Sequence, residues 1–251
     1  MMTEQENLSL KSAVETPSSK KAFKYYDLML VAFVTVLICS NLIGAGKAAQ
    51  IELPYLGTMI FGAGILFFPI SYAFGDILTE VYGYAYDRRA VWCGFAALVF
   101  AAFMSQVVIH LTPAPGEYNS HLQEGLESVF GNTWRIVFGS IIAFWSGSLV
   151  NAYVLAKMKI YFKGKHLWFR MIGSTACGEL VDSSLFYMLA FYAIWPIEQV
   201  IQVAIVQYVL KTSWEILAVP FTYKIVAFLK KKENEDYYDV QTNFSPFKLK
   251  I

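Results

Sequence analysis

Long apolar runs separated by short polar stretches fill the chain between about residues 27 and 229. Six of these runs are long enough to cross a bilayer as helices, each on the order of 20 residues or slightly more. They fall at about residues 27–44, 58–80, 90–111, 134–156, 169–195 and 197–229. Pro69 in the second run frees a backbone carbonyl and favours a kink; Pro220 in the last, with Lys211 and Glu215, suggests a tilt or kink there too. The expected fold class is all-α, a polytopic membrane protein with a six-transmembrane-helix bundle over residues 25–230. A polar tail, 1–24, precedes it and a charged tail, 231–251, follows.

The longest connection, 112–133, contains HLQEGLESVF, where Leu122, Leu126 and Val129 recur at helical spacing. It reads as a short surface helix, either a plain extramembrane loop or a lid over the outer mouth. The final stretch, KKKENEDYYDVQTNFSPFKLKI, reads as solvated or loosely attached. No long-period repeat is visible.

Charge sets the orientation. Lys20, Lys21 and Lys24, then Arg88 and Arg89, then Lys157, Lys159, Lys163 and Lys165, then Lys230, Lys231 and Lys232 occupy alternate connections, while the opposite ones carry Lys47 and Arg135. That alternation places both termini in the cytoplasm. Tyr25, Tyr26, Trp92, Trp134, Trp168 and Trp195 lie near the ends of the spans, where amphipathic rings favour the interface.

Composition agrees: of 251 residues, 57% are hydrophobic and 16% charged, well above the apolar share of a soluble domain. The first 24 residues contain no apolar signal segment, so no removed signal peptide is expected and the first span should stay as an anchor. A net charge of +1 without a basic, aromatic-interleaved stripe gives no reason to expect a nucleic-acid partner. Cys39, Cys93 and Cys177 lie in apolar runs without CxxC or Cys/His spacing and read as small buried hydrophobes. His110 reads as a satisfied interfacial group, so neither a metal nor another cofactor is expected. The chain also lacks GxSxG and HExxH, which argues against an intramembrane enzyme.

Polar groups inside the spans carry the candidate chemistry, because an ionisable side chain in hydrocarbon needs a partner or an aqueous cavity. In RMIGSTACGELVD, Glu179 and Asp182 stand three residues apart on one helix face, with Thr175 one turn back. Asp76 and Glu80 are one turn apart in the second span, Glu80 near enough to Arg88 and Arg89 for an interfacial pair. Phe144, Ser148 and Asn151 form a stripe beside Trp145, although Ser140, Gly147 and Ser148 also suit a tight helix interface. Asn41 carries two donors and an acceptor, for a ligand or a neighbouring helix. Gln207, Lys211 and Glu215 recur every four residues, with Trp214 adjoining. Lys211 either pairs with Glu215 along its helix or closes a network with Asp182, Glu179 or Asp76 across the bundle.

The ordered segments SNL, FPISYAFGDILTEVYG, GSIIAFWSGSLVNAYVLAKMK, LWFRMIGSTACGELVDSSLF and VLKTSWEILAVPFTY together resemble the queuosine precursor transporter family of six-helix bacterial membrane proteins. The resemblance covers nearly all of residues 24–229. It implies import, across the bacterial inner (plasma) membrane, of a 7-deazaguanine such as preQ0 or preQ1, or of queuine, for tRNA modification. Its helix count is also similar to that of substrate-capture subunits of energy-coupling-factor transporters, which would need partner ATPases. A homo-oligomer or another energising partner is open. The family's polar motif positions fall on Asn41, Asp76, Asn151, Ser174, Glu179, Asp182 and Lys211. Many members have an amide at the Glu179 position and an acid at the Asn151 position, so the resemblance implies a substrate class and not one precursor.

The residues suit such a ligand on chemical grounds. A deazaguanine offers adjacent ring N–H and amino donors to a carboxylate, for which Glu179 or Asp182 is the candidate. Its carbonyl suits Lys211, Asn41 or Asn151, its flat face Phe68, Phe144, Trp145 or Trp214, and a cationic substituent would call for a second acid, Asp76.

Overall fold

The computed structural model describes residues 23–43, 48–53, 57–131 and 134–248. Most of the 1–24 tail, Lys47 and the Trp134 side chain lie outside the described residues. Among these residues the fold is all-α apart from one hairpin. Helix α1 is Tyr26–Leu42, followed by strands β1, Ala48–Leu53, and β2, Gly57–Gly62, which pair antiparallel from Ala48↔Gly62 to Leu53↔Gly57. After a 3-10 turn at Ala63–Leu66 come α2, Phe68–Tyr82, α3, Tyr84–Ile109, and α4, Glu117–Phe130. Helices α5, Trp134–Tyr161, α6, Leu167–Phe191, and α7, Ile197–Glu233, complete the chain.

Two boundaries differ from the sequence reading, each for a local reason. The 58–80 run is not one helix: Pro69 stands in the first turn of α2, where its missing N–H costs nothing, so the helix starts there and the glycine-containing stretch before it forms the strand and 3-10 turn. A single residue, Gly83 at φ +91°, separates α2 from α3. Any side chain there would be strained, and a Cβ would meet the Tyr237 ring at 2.3 Å. Helix α7 runs through Pro220 without interruption, and α4 is exposed nearly throughout.

Helix ends alternate between two ends of the bundle. At one end the Glu233 carboxylate accepts from the backbone N–H groups of Lys24 and Tyr25 and from the Tyr82 hydroxyl, at 2.9, 2.7 and 3.0 Å. There too Glu80 of α2 gathers Arg170 of α6 in a two-pronged pair, at 2.5 and 3.0 Å, and Lys230 of α7 at 2.6 Å, with the Lys159 ammonium of α5 3.6 Å away. At the other end the Arg135 guanidinium reaches the carbonyls of Leu189 and Tyr192, and the Gln106 side chain donates to the Phe130 carbonyl. The start of α1 and the chain after α7 therefore lie together.

Helix α2 is central, packed against α1, α3, α5 and α7, with Ile77, Leu78 and Val81 in a core shared with Phe33, Leu37, Phe144, Leu155 and Met171. Gly147 and Gly178 bring α5 and α6 together: a Cβ on Gly147 would lie 2.9 Å from the Gly178 carbonyl and 2.6 Å from the Tyr72 hydroxyl. The outer faces are apolar, as Phe100 and Phe103 of α3 and Leu217 and Phe221 of α7 illustrate. Cys93 and Cys177 lie exposed on such faces instead of being buried. Helices α3, α5 and α7 are long and apolar enough to cross a membrane, and α1 is a shorter apolar helix.

The tail after α7 is held, contrary to the loose attachment its charge suggests. Asp239 is 1% exposed and accepts the Tyr84 N–H, orphaned by the break at Gly83, through both oxygens at 3.1 Å. The Arg88 guanidinium donates to the Asn243 and Ser245 carbonyls, at 2.7 and 2.8 Å, and the Trp92 indole to the Pro246 carbonyl at 2.8 Å. These partners recur every four residues, so the tail follows one edge of α3. Its Asp236 accepts from Lys159 at 2.5 Å and lies 2.8 Å from the Lys230 ammonium. Burial alone would raise the Asp236 pKa, but hydrogen bonds from Lys159 and Lys230 hold the carboxyl below the ordinary aspartate range. Burial pushes that of Asp239 up.

Candidate functional site

Helices α1, α2, α3, α5, α6 and α7 surround a cavity of about 490 Å³ that reaches toward the end of the bundle carrying α4. That volume is in the range of small-molecule sites. Apolar residues such as Leu98, Ile136 and Ile141 form much of the wall, Val129 and Phe130 of α4 border it, and polar side chains enter it from several helices. There the Lys211 ammonium of α7 donates to Asp182 of α6 and lies 3.1 Å from a Glu179 oxygen. The same ammonium sits 3.9 Å from the centre of the Phe68 ring, a cation–π contact that ties it to α2. Glu215, the intrahelical alternative, makes no ion pair with Lys211.

Each group is placed by its element. Glu179 and Asp182 share the inward face of α6 because they are three residues apart, and both are 2% exposed. Lys211 projects from α7 through a long stem whose head has two carboxylates and a ring as neighbours, so its charge is matched where water is scarce. Opposite, the Ser140 hydroxyl donates to the Asn41 side-chain oxygen at 3.2 Å, and both residues line the cavity.

The sequence-derived candidates divide into three groups. Asn41, Phe68, Asp182 and Lys211 line the cavity, with Glu179 directly behind Lys211. Asp76 and Asn151 meet deeper in the bundle, where the Asn151 amide donates to Asp76 at 2.8 Å. Phe144, Trp145, Ser174 and Trp214 fall outside the cavity lining: Phe144 packs in the core against Phe33, Ser174 donates to the Met171 carbonyl of its own helix, and Trp145 faces Trp92 and Phe95. Ser183, Phe186, Tyr187 and Gln207 also line the cavity. The signal for Ser183 and Tyr187 is in the sequence, one and two turns beyond Glu179 on the same face. Tyr72, one turn before Asp76, has the same kind of signal.

Comparison with known proteins adds a second line of observation. The family described as "Putative vitamin uptake transporter" matches residues 62–225, a stretch containing every ionisable residue of the site. A protein of Bacillus subtilis (strain 168) described as "Probable queuosine precursor transporter" is 32% identical over 169 residues, covering 67% of this chain and 69% of that protein. No solved structure matches the chain.

Proposed function

Since the chain belongs to the queuosine precursor transporter family, we propose that it imports a 7-deazaguanine, binding it in the cavity beside Asp182 and Lys211. The observation that carries this reading is the joining of Asp182, Glu179 and Lys211 at the wall of a cavity enclosed by helices whose outer faces are apolar. A carboxylate there accepts the adjacent N–H donors of the base, and the ammonium satisfies its carbonyl. Because Lys211 already covers one face of Phe68, Phe186 and Tyr187 supply further aromatic surface for the ring.

In this reading α1, α2, α3, α5, α6 and α7 cross a bacterial inner membrane, with both termini in the cytoplasm. The lysine-rich end, with Lys159, Lys163, Lys165 and Lys230, faces inward, in keeping with the preference of basic residues for that side. The cavity then opens outward. A chain that transports by itself, without partner ATPases, will take up labelled 7-deazaguanine into liposomes containing it alone. Asp182→Ala should reduce that uptake to background and remove the thermal stabilisation the base gives the wild type. Undiminished uptake by Asp182→Ala would end this assignment.

A further inference from the structure

Between the cavity and the cluster at Glu80, a column of buried polar side chains continues along the axis of the bundle. Helix α2 contributes Tyr72 and Asp76, α5 Asn151, α6 Thr175 and Glu179, and α7 Glu215, none more than 3% exposed. Their polar atoms are incompletely satisfied. The Tyr72 and Thr175 hydroxyls, the Asn151 carbonyl oxygen, one Asp76 oxygen and both Glu215 oxygens make no hydrogen bond among the described residues. Native interiors rarely gather so many groups without protein partners in one place, which sets this stretch apart from the packed core around it.

Two of its members are buried acids, Asp76 at 0% and Glu215 at 1% exposure. Neither Asp76 nor Glu215 is in an ion pair among the described residues, while Lys211 is engaged by Asp182 and Glu179, and Arg170 and Lys230 by Glu80. Two uncompensated carboxylates in hydrocarbon would cost several kcal/mol each, on the order given for intramembrane acids. The Tyr72 hydroxyl sits beside Gly147 and Asp182, where α5 and α6 meet, and a hydroxyl can both donate and accept a proton.

We propose that this column binds and conducts the coupling proton, with Glu215 as its principal acceptor below the solute cavity and Asp76 and Asp87 continuing the route inward. The groups facing Glu215 are Asp76 and Tyr72 of α2 and Glu179 of α6. Those facing Asp76 are Glu80, Arg170 and Asn151, and those facing Asp87 are Asp76, Thr79, Tyr26 and Asp239 of the tail. The route therefore runs from the acids beside the cavity to the docked tail at the inner end. The proposal rests on the transport reading for its solute, but proton binding itself does not require the solute to be identified.

Two measurements on the full chain test it. Infrared spectra of the purified protein at neutral pH should contain a protonated-carboxyl stretching band that weakens in Glu215→Gln and in Asp87→Asn. A wild-type spectrum without that band would overturn the proposal whatever the solute is. In proteoliposomes, an acid-outside gradient of one pH unit should support about tenfold accumulation of 7-deazaguanine for each proton carried. A protonophore should abolish that accumulation, and Glu215→Gln should bring it to the level without a gradient while still binding the base. Gradient-driven accumulation equal to wild type in Glu215→Gln would overturn the proposal, whereas a wild type with the infrared band that binds no deazaguanine would overturn the solute assignment alone.

Discussion

Lys211 and Asp182 are joined by a direct charge-assisted hydrogen bond across the α6–α7 interface, and Glu179 shares the same ammonium. The bond fixes the register of the two helices and sets a cation and an acid side by side at the cavity wall. Removing either partner leaves an unmatched charge in a dry place, which typically costs about 3–5 kcal/mol. Lys211→Met should therefore lower the unfolding temperature in detergent, and Asp182→Leu combined with Lys211→Met should recover part of that loss, Glu179 still lacking its cation, while uptake stays absent. Equal stability of the single and double variants would show that the pair does not couple.

At Glu80 the same reasoning applies to one carboxylate that serves Arg170, Lys159 and Lys230. Glu80→Gln retains the shape but leaves three cations at one end of the bundle without that anion, although Lys159 and Lys230 keep Asp236. A loss of at least about 3 kcal/mol is expected, read from thermal or denaturant unfolding; Arg170→Met in the same background should partly restore stability.

Gly147→Ala tests the close approach of α5 and α6. The added methyl would meet the Gly178 carbonyl at 2.9 Å and the Asp182 Cβ at 2.8 Å, both carried on the facing helix. Overpacking of this kind costs about 1–3 kcal/mol, and separation of α5 from α6 would also displace Asp182. The expected result is weaker solute binding together with lower stability; Gly139→Ala, whose nearest contact is the Leu189 Cβ at 3.3 Å, should do less.

The two tail carboxyls give a pH prediction with a definite sign. Docking lowers the pKa of Asp236, so its contribution is complete above the undocked value, about 3.9, and is lost only as pH falls through the depressed one. Docking raises the pKa of Asp239, so the docked tail takes up a proton there and gains stability as pH falls through the raised value. Mild acid should leave the tail in place or hold it more firmly. Amide exchange of residues 236–246 between pH 7 and pH 4.5, corrected for intrinsic rates, will measure this; faster corrected exchange at pH 4.5 would contradict it.

Much of this architecture is legible in the residues. The apolar runs locate the long helices, and the three-residue spacing of Glu179 and Asp182 places both on the inward face of α6. What the pattern could not resolve depends on contacts distant in sequence. Lys211 has carboxylates available on its own helix and on its neighbours, and only packing selects α6 over Glu215. The hairpin at 48–62 is hidden because its second strand continues into an apolar run long enough to be a span. The tail reads as solvated because its composition is charged, yet it carries acceptors for donors that Tyr84, Arg88 and Trp92 would otherwise leave buried. Trp145 and Phe144 are adjacent in sequence, and the turn of the helix sends one to the core and the other toward α3.

The anchoring of residues 236–246 along α3 has a practical outcome for anyone handling the protein. A purification handle or fluorescent reporter joined close behind the Pro246 carbonyl clasped by Trp92 would tug on the fastening at Arg88 and Asp239. Fusions at that end should be compared with cleaved material before any rate is attributed to the native chain.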